Sequence, residues 1–204
     1  MNRKVVALLA VVLLAAFAVQ AAAAELYPGE NALLQKAKKE KGLNSYDTGP
    51  TWANWQGLFD AFKARYGINI NYNDLGSGAT VVRLEKEKNN PQADTAYYFM
   101  PFGALAKEKG VTQPFKPVNF EKIPPVLKDR DGNWFCIHKG TVVFVVNKRL
   151  VKESPKSWKD LLDRKYSKSV VYLDPRTTGI GYAIVIASAY ANGGSIIDLS
   201  KGVD

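Results

Sequence analysis

Three short stretches of this chain combine glycine, threonine, serine or asparagine with an aromatic or basic residue. They are Thr48-Gly49-Pro50-Thr51-Trp52-Ala53-Asn54, Gly76-Ser77-Gly78-Ala79 and Asp174-Pro175-Arg176-Thr177-Thr178-Gly179. Glycine lets a backbone approach a small molecule closely, and the unpaired N–H groups at a helix start favour an anion. Capping alone explains such residues at most helix starts, so three stretches in one chain carry more weight than any one. Trp52 stands out as a large apolar group inside a turn instead of on a helix face.

Bond-making chemistry has no comparable signature. His138 is the one histidine and Cys136 the one cysteine, too few for a typical zinc site. No serine in an elbow motif accompanies His138, so no triad has local support. Gly76-Ser77-Gly78 lacks the Lys-Ser/Thr pair of a phosphate loop. Cys136 lies in apolar Trp134-Phe135-Cys136-Ile137, the setting of an inert buried thiol, and alone it forms no intramolecular disulfide. The pattern points to binding without cofactor or metal and not to an enzyme. An exported enzyme using His138 as general base is the competing reading, and it requires a turnover that this one imidazole controls.

The elements that would position the three stretches alternate. A short helix covers Asn31 to Lys41 and a short strand Leu43 to Asp47. Trp55, Leu58, Phe59, Phe62 and Tyr66 recur at helical spacing, which predicts a helix over 54–66 with Gly67 as its stop. Ile68 to Tyr72 alternates with period two and reads as a strand. A charged helix runs from the Gly76-Ser77-Gly78 turn to Lys88, a strand from Ala93 to Met100, and a helix from Pro101 to Gly110. Such alternation predicts a mostly parallel sheet covered by helices. Four prolines between Thr112 and Pro125 disfavour regular structure there, and Asp129 to Asn133 is a turn. Val142-Val143-Phe144-Val145-Val146 shows no alternation, which predicts a central strand buried on both faces. The pattern resumes with a helix at Ser157 to Tyr166, a strand at Ser169 to Leu173 and a helix from Gly179 to Ala191. Ligands of open α/β sheets bind beyond the carboxyl ends of the strands, where these turns collect.

Arg3 and Lys4, the apolar run Val5 to Val19 and the exit Ala21-Ala22-Ala23-Ala24 have the order of a secretory signal peptide, too short to span a bilayer. The 204 residues are 47% hydrophobic and 23% charged, a globular composition. Their net charge of +9 is dispersed along the chain, which argues for solvated faces and against nucleic acid.

Several segments together resemble the periplasmic solute-binding proteins of ABC importers, the extracellular solute-binding family that includes iron(III), polyamine and phosphonate receptors. They are Thr51 to Trp55 with Phe59 to Phe62 and Tyr66-Gly67-Ile68, Lys86 to Asp94, Lys107 to Gln113, Gly140-Thr141, Val146 to Lys148, Pro155 to Leu162 and Asp174 to Thr177. The resemblance implies an α/β fold of the type II periplasmic-binding-protein class. Residues 1–24 would be the signal peptide, 25–150 lobe one with the crossing strands, and 151–204 an incomplete start of lobe two. It implies a monomer in the periplasm that holds a small solute between two lobes and docks on a permease of the inner membrane. Ligand contacts carried over are Thr48, Gly49, Trp52 and Asn54, the Gly76, Ser77 and Gly78 turn, Tyr97, Gly140 and Thr141, and Arg176, Thr177 and Thr178.

Two points remain open at this level. An anion would use the helix starts, Arg176 and Lys139, whereas a polyamine would use Asp47, Asp94, Trp52 and Tyr97. The glycine-rich turns and the basic balance favour an anion, which with the resemblance gives an organic anion or a phosphonate-like solute. Iron-binding relatives use a tyrosine pair in the second lobe, so Tyr97-Tyr98 in lobe one argues little for iron(III), and strand-end tyrosines usually pack. Relatives are much longer, so the sequence reads either as a fragment or as a truncated remnant without transport function.

Overall fold

The computed structural model of the chain describes residues 24–40 and 42–202. The signal-peptide reading falls on residues that, apart from Ala24, lie outside this range. The described residues divide into two units, one up to Lys39 and one from Glu40 onward. The first contains helix α1, Glu30–Ala37, which follows Gly29 in the left-handed conformation at φ 87°. At its start the Glu25 carboxylate accepts from Gly29 N at 3.3 Å and Asn31 N at 2.9 Å, and Glu30 Oε2 accepts from Leu26 N at 2.6 Å.

The second unit carries the sheet. Strands β1 (Leu43–Tyr46), β2 (Ile70–Asn73) and β3 (Thr95–Ala96) run parallel in the order β2-β1-β3. Leu43 stands opposite Ile70 and Ser45 opposite Thr95. Helices α2 (Trp55–Tyr66) and α3 (Ser77–Lys86) run between them, and α4 (Met100–Glu108) follows β3. The α/β class and the parallel sheet expected from the alternation are therefore present. Helix α2 begins and ends within one residue of its predicted span, and Gly67 closes it at φ 69°. β3 is far shorter than Ala93 to Met100, because Pro101 already sits in the first turn of α4. Bonds from Asp94 N to Asn44 O and from Tyr97 N to Tyr46 O extend the pairing by one residue at each end.

Tyr46, Trp55, Val81 and Ala106 form the core of this layer. One cluster ties the C-terminal end of α3 to β1. Glu87 accepts hydrogen bonds from the Tyr46 hydroxyl and from Arg83 Nε, both at 2.9 Å, while the guanidinium lies 4.2 Å from the Tyr46 ring centre. α4 in turn holds the 129–134 turn, since Lys107 pairs with Asp129 at 2.7 Å and Asp131 at 3.0 Å. Burial opposes ionisation of Asp129, but Lys107 and Asn133 bring its pKa down to about 2.

Beyond residue 134 three expectations fail. Val142 to Val146 is neither paired nor buried: Val145 is 92% exposed, and Val143 and Phe144 are exposed too. Ser169 to Leu173 is likewise unpaired, with Val171 92% exposed. β-branched residues make a strand only with a ladder partner, and among the described residues no segment pairs with either stretch. Ser157 to Tyr166 forms two 3-10 turns, Lys159–Leu162 and Arg164–Tyr166, in place of a helix. Asp163 interrupts it: this residue is extended at φ −65°, ψ 136°, and its carboxylate accepts from Lys165 N. Helix α5, Gly179–Ala191, forms as expected. Among the described residues no helix is long and apolar enough to cross a membrane.

Candidate functional site

All three strands end on the same side of the sheet, and polar residues follow each end. β1 runs into Asp47, which adopts the left-handed conformation at φ 54° and is 5% exposed. Ala53 and Asn54, in the same turn, take φ 48° and 56°. A non-glycine residue in this region costs about 1–3 kcal/mol, least for Asn and Asp, and such residues concentrate at functional sites. Of the four found among the described residues, two lie in the first predicted turn and a third, Asp47, immediately precedes it.

Hydrogen bonds join this turn to its neighbours. Ser77 Oγ, at the start of α3, donates to Asp47 Oδ2 at 3.1 Å and accepts from Phe99 N at 3.1 Å. Trp52 Nε1 donates to the carboxylate of Asp74, just beyond β2, at 3.2 and 3.3 Å. Gly49 lies beneath that pair, and a Cβ there would meet Asp74 Oδ2 at 2.5 Å. Aromatic rings close the group: the centre of Tyr97 lies 5.4 Å from both Trp52 and Trp55, which are themselves 5.9 Å apart edge to face. His138 stacks on Tyr97 at 5.3 Å, and its Nε2 is 2.8 Å from the Tyr97 hydroxyl.

Charge at the site is negative. Burial raises the Asp47 pKa to about 6; the Ser77 hydrogen bond works against this and the Asp74 charge adds to it. Burial, then the Asp47 charge, also raises Tyr97, and burial alone lifts Tyr98 to about 12. Both tyrosines therefore stay neutral phenols near pH 7.

The second and third turns are in direct contact. Gly78 N donates to Thr177 O at 3.2 Å, and a side chain at Gly76 would collide with that same carbonyl. Thr178 caps α5, its Oγ1 accepting from Gly181 N at 3.1 Å and donating to Asp174 O at 2.9 Å. The starts of α3 and α5 thus meet beside Asp47. Arg176 faces away: its guanidinium forms a two-pronged pair with Asp174 and its side chain is 86% exposed.

Of the residues expected at the site, Thr48, Gly49, Trp52, Gly76, Ser77, Gly78, Tyr97, Thr177 and Thr178 fall in these contacting turns or their aromatic cluster. Thr48 is buried, with its hydroxyl 3.5 Å from Ser45 O. Gly140 and Thr141 are exposed and lie in none of the three turns, and Asn54 is exposed at the start of α2. Asp94 spends its carboxylate on Asn44 N at 2.7 Å, a structural bond of the sheet. Asp74, Trp55 and His138 joined the cluster without having been singled out as binding residues. Asp74 was findable, because it follows a predicted strand just as Asp47 does. Among the described residues no group of three acidic, histidine or cysteine side chains could hold a metal ion.

The chain is similar to several bacterial periplasmic proteins. Over 152 residues it is 32% identical to a Salmonella typhimurium periplasmic protein provisionally named for 2-aminoethylphosphonate binding, covering 74% of this chain and 43% of that one. Over 111 residues it is 31% identical to a Sinorhizobium fredii protein provisionally named as an ABC transporter periplasmic-binding protein, covering 52% of this chain and 30% of that relative. The chain thus spans less than half the length of these curated relatives. Among solved structures, the periplasmic binding protein AfuA of Actinobacillus pleuropneumoniae, with fructose-6-phosphate bound, superposes with a TM-score of 0.68 at 27% identity, covering 80% of this chain and 52% of that one. Residues 90–198, more than half of the chain, match the family described as bacterial extracellular solute-binding protein, and the chain belongs to that family.

Proposed function

We propose that this chain is the solute-binding component of an ABC importer, exported to the periplasm, which holds a small organic solute bearing a phosphonate-type anion for a membrane permease. The observation that carries the reading is the meeting of the second and third turns: the starts of α3 and α5 stand together at the C-terminal side of the sheet. Helix starts carry positive partial charge, which suits a phosphoryl group. A relative provisionally named for an aminophosphonate and a neighbour with a sugar phosphate bound support the same class. On this reading the ligand residues are Thr48, Gly49, Trp52, Ser77, Tyr97, Thr177 and Thr178, and the lobe boundary lies near Lys148 to Pro155.

Intrinsic tryptophan fluorescence tests it, because Trp52 and Trp55 both lie in the cluster. Titration of the purified chain with 2-aminoethylphosphonate and fructose-6-phosphate is expected to give a saturable change with one of them. Trp52→Ala should abolish that change. No saturable response to either would overturn the phosphoryl reading.

A further inference from the structure

The first turn has an electrostatic property that its helix-start neighbours do not explain. Asp47 is 95% removed from solvent, yet neither it nor Asp74 has a basic partner among the described residues. A buried carboxylate without a countercharge is expensive, and buried charges in proteins are ordinarily paired. The Ser77 hydroxyl and the Trp52 indole supply one hydrogen bond each, which solvates the carboxylates without neutralising them. Around them stand the rings of Trp52 and Tyr97, tilted with centres 5.4 Å apart; His138 stacks on one face of Tyr97, and an open ring face attracts a cation.

A second and independent observation lies in the same cluster. The Trp55 indole N–H is buried and has no acceptor among the described residues, while its ring touches both Trp52 and Tyr97. Native proteins leave few buried donors unpaired. The cluster therefore lacks both a cation for its carboxylates and an acceptor for its indole.

We infer that the solute is a zwitterion whose primary ammonium group sits between the Asp47 and Asp74 carboxylates, against the faces of Trp52 and Tyr97. This rests on the phosphoryl reading only for the solute's other end. The anionic group faces the starts of α3 and α5 and the Trp55 N–H, and the amine lies across from it. A purely anionic solute would meet unneutralised carboxylates at this end and bind weakly. Asp74 also acts on Trp52, since its carboxylate holds the indole in place.

Isothermal titration calorimetry of the purified chain at pH 7.5 with three ligands decides the matter. They are 2-aminoethylphosphonate, ethylphosphonate (the same anion without the amine) and 3-aminopropanoate (the amine with a carboxylate). The expected result is that 2-aminoethylphosphonate binds at least about tenfold more tightly than ethylphosphonate, the range of one charge-assisted contact. In Asp47→Asn, and separately in exposed Asp74→Asn, that ratio should fall toward one. Asparagine keeps an oxygen for Ser77 and tolerates the left-handed backbone at position 47, and thermal melts verify folding. Equal affinities for the two phosphonates, or a ratio that both variants leave intact, would overturn the ammonium site while the phosphoryl reading stood. Binding of 3-aminopropanoate with neither phosphonate would sink the phosphoryl reading and keep the ammonium site. Binding of none of the three would overturn both.

Discussion

Residues 43–110 and residues 139–173 are both rich in β-branched and aromatic side chains, yet only the first forms a sheet. In the first region each strand has a neighbour at a defined register, and helices cover the sheet. In the second, Val142 to Val145 and Val170 to Leu173 are exposed, Val145 and Val171 almost completely. The difference is one of partners and not of propensity. A strand gains its ladder bonds and burial only when a second segment lies alongside. The polar site follows the same division, because its carboxylates and rings are aimed by the ends of the paired strands.

The largest test of this contrast is a pair of substitutions. Trp55→Ala removes a ring that is 8% exposed, and it should cost about 3–5 kcal/mol in urea denaturation. Val145→Ser, in the unpaired stretch, should stay within about 0.5 kcal/mol. Equal losses would mean that the second region is packed after all. Amide hydrogen exchange sharpens the same point: Tyr46 and Tyr97 should exchange only through global unfolding, and residues 143–145 nearly freely.

A pH effect comes next. The Asp47 pKa is raised from 3.8 to about 6 by burial, so the folded state holds this proton more tightly than the unfolded chain. Stability from this group is greatest below about pH 4, falls as pH rises toward 6, and is level above that. The fall should be on the order of 3 kcal/mol, and Asp47→Asn should remove it from the stability-versus-pH curve. Asp129 and Asp174, both lowered to about 2, act in the opposite sense and at lower pH. The difference between wild type and variant therefore isolates Asp47.

Gly49→Ala should have a smaller effect. Its methyl group would overlap the Asp74 carboxylate and displace the bond to Trp52, at a cost of about 1 kcal/mol. Loss of Trp52 signal in near-ultraviolet circular dichroism would report it. Smallest of all should be Tyr97→Phe, which removes only the partly solvated hydroxyl contact with His138 and keeps the ring stack. Its expected cost is under about 0.5 kcal/mol, and a larger loss in the same denaturation assay would mean that His138 organises the site.

Much of the sheet region was legible because its signals are local. The helical spacing from Trp55 to Tyr66, the stop at Gly67 and the alternation from Ile68 to Tyr72 each lie within one element. The three glycine-bearing turns were legible for the same reason, as was Asp47 at a strand end. Trp55 shows the limit: its spacing placed it in a buried stripe, correctly, but spacing says nothing of an indole N–H left without an acceptor. The sequence by itself determined the order of the elements up to residue 110, which turns follow the parallel strands there, and the burial of Trp55. Only the tertiary structure decided that Val142 to Val146 stays unpaired, that Gly78 meets Thr177, that Arg176 turns to Asp174, and that Asp74 joins Trp52. Each of these depends on what lies across space from a residue, and a local period carries no information about a partner many residues away.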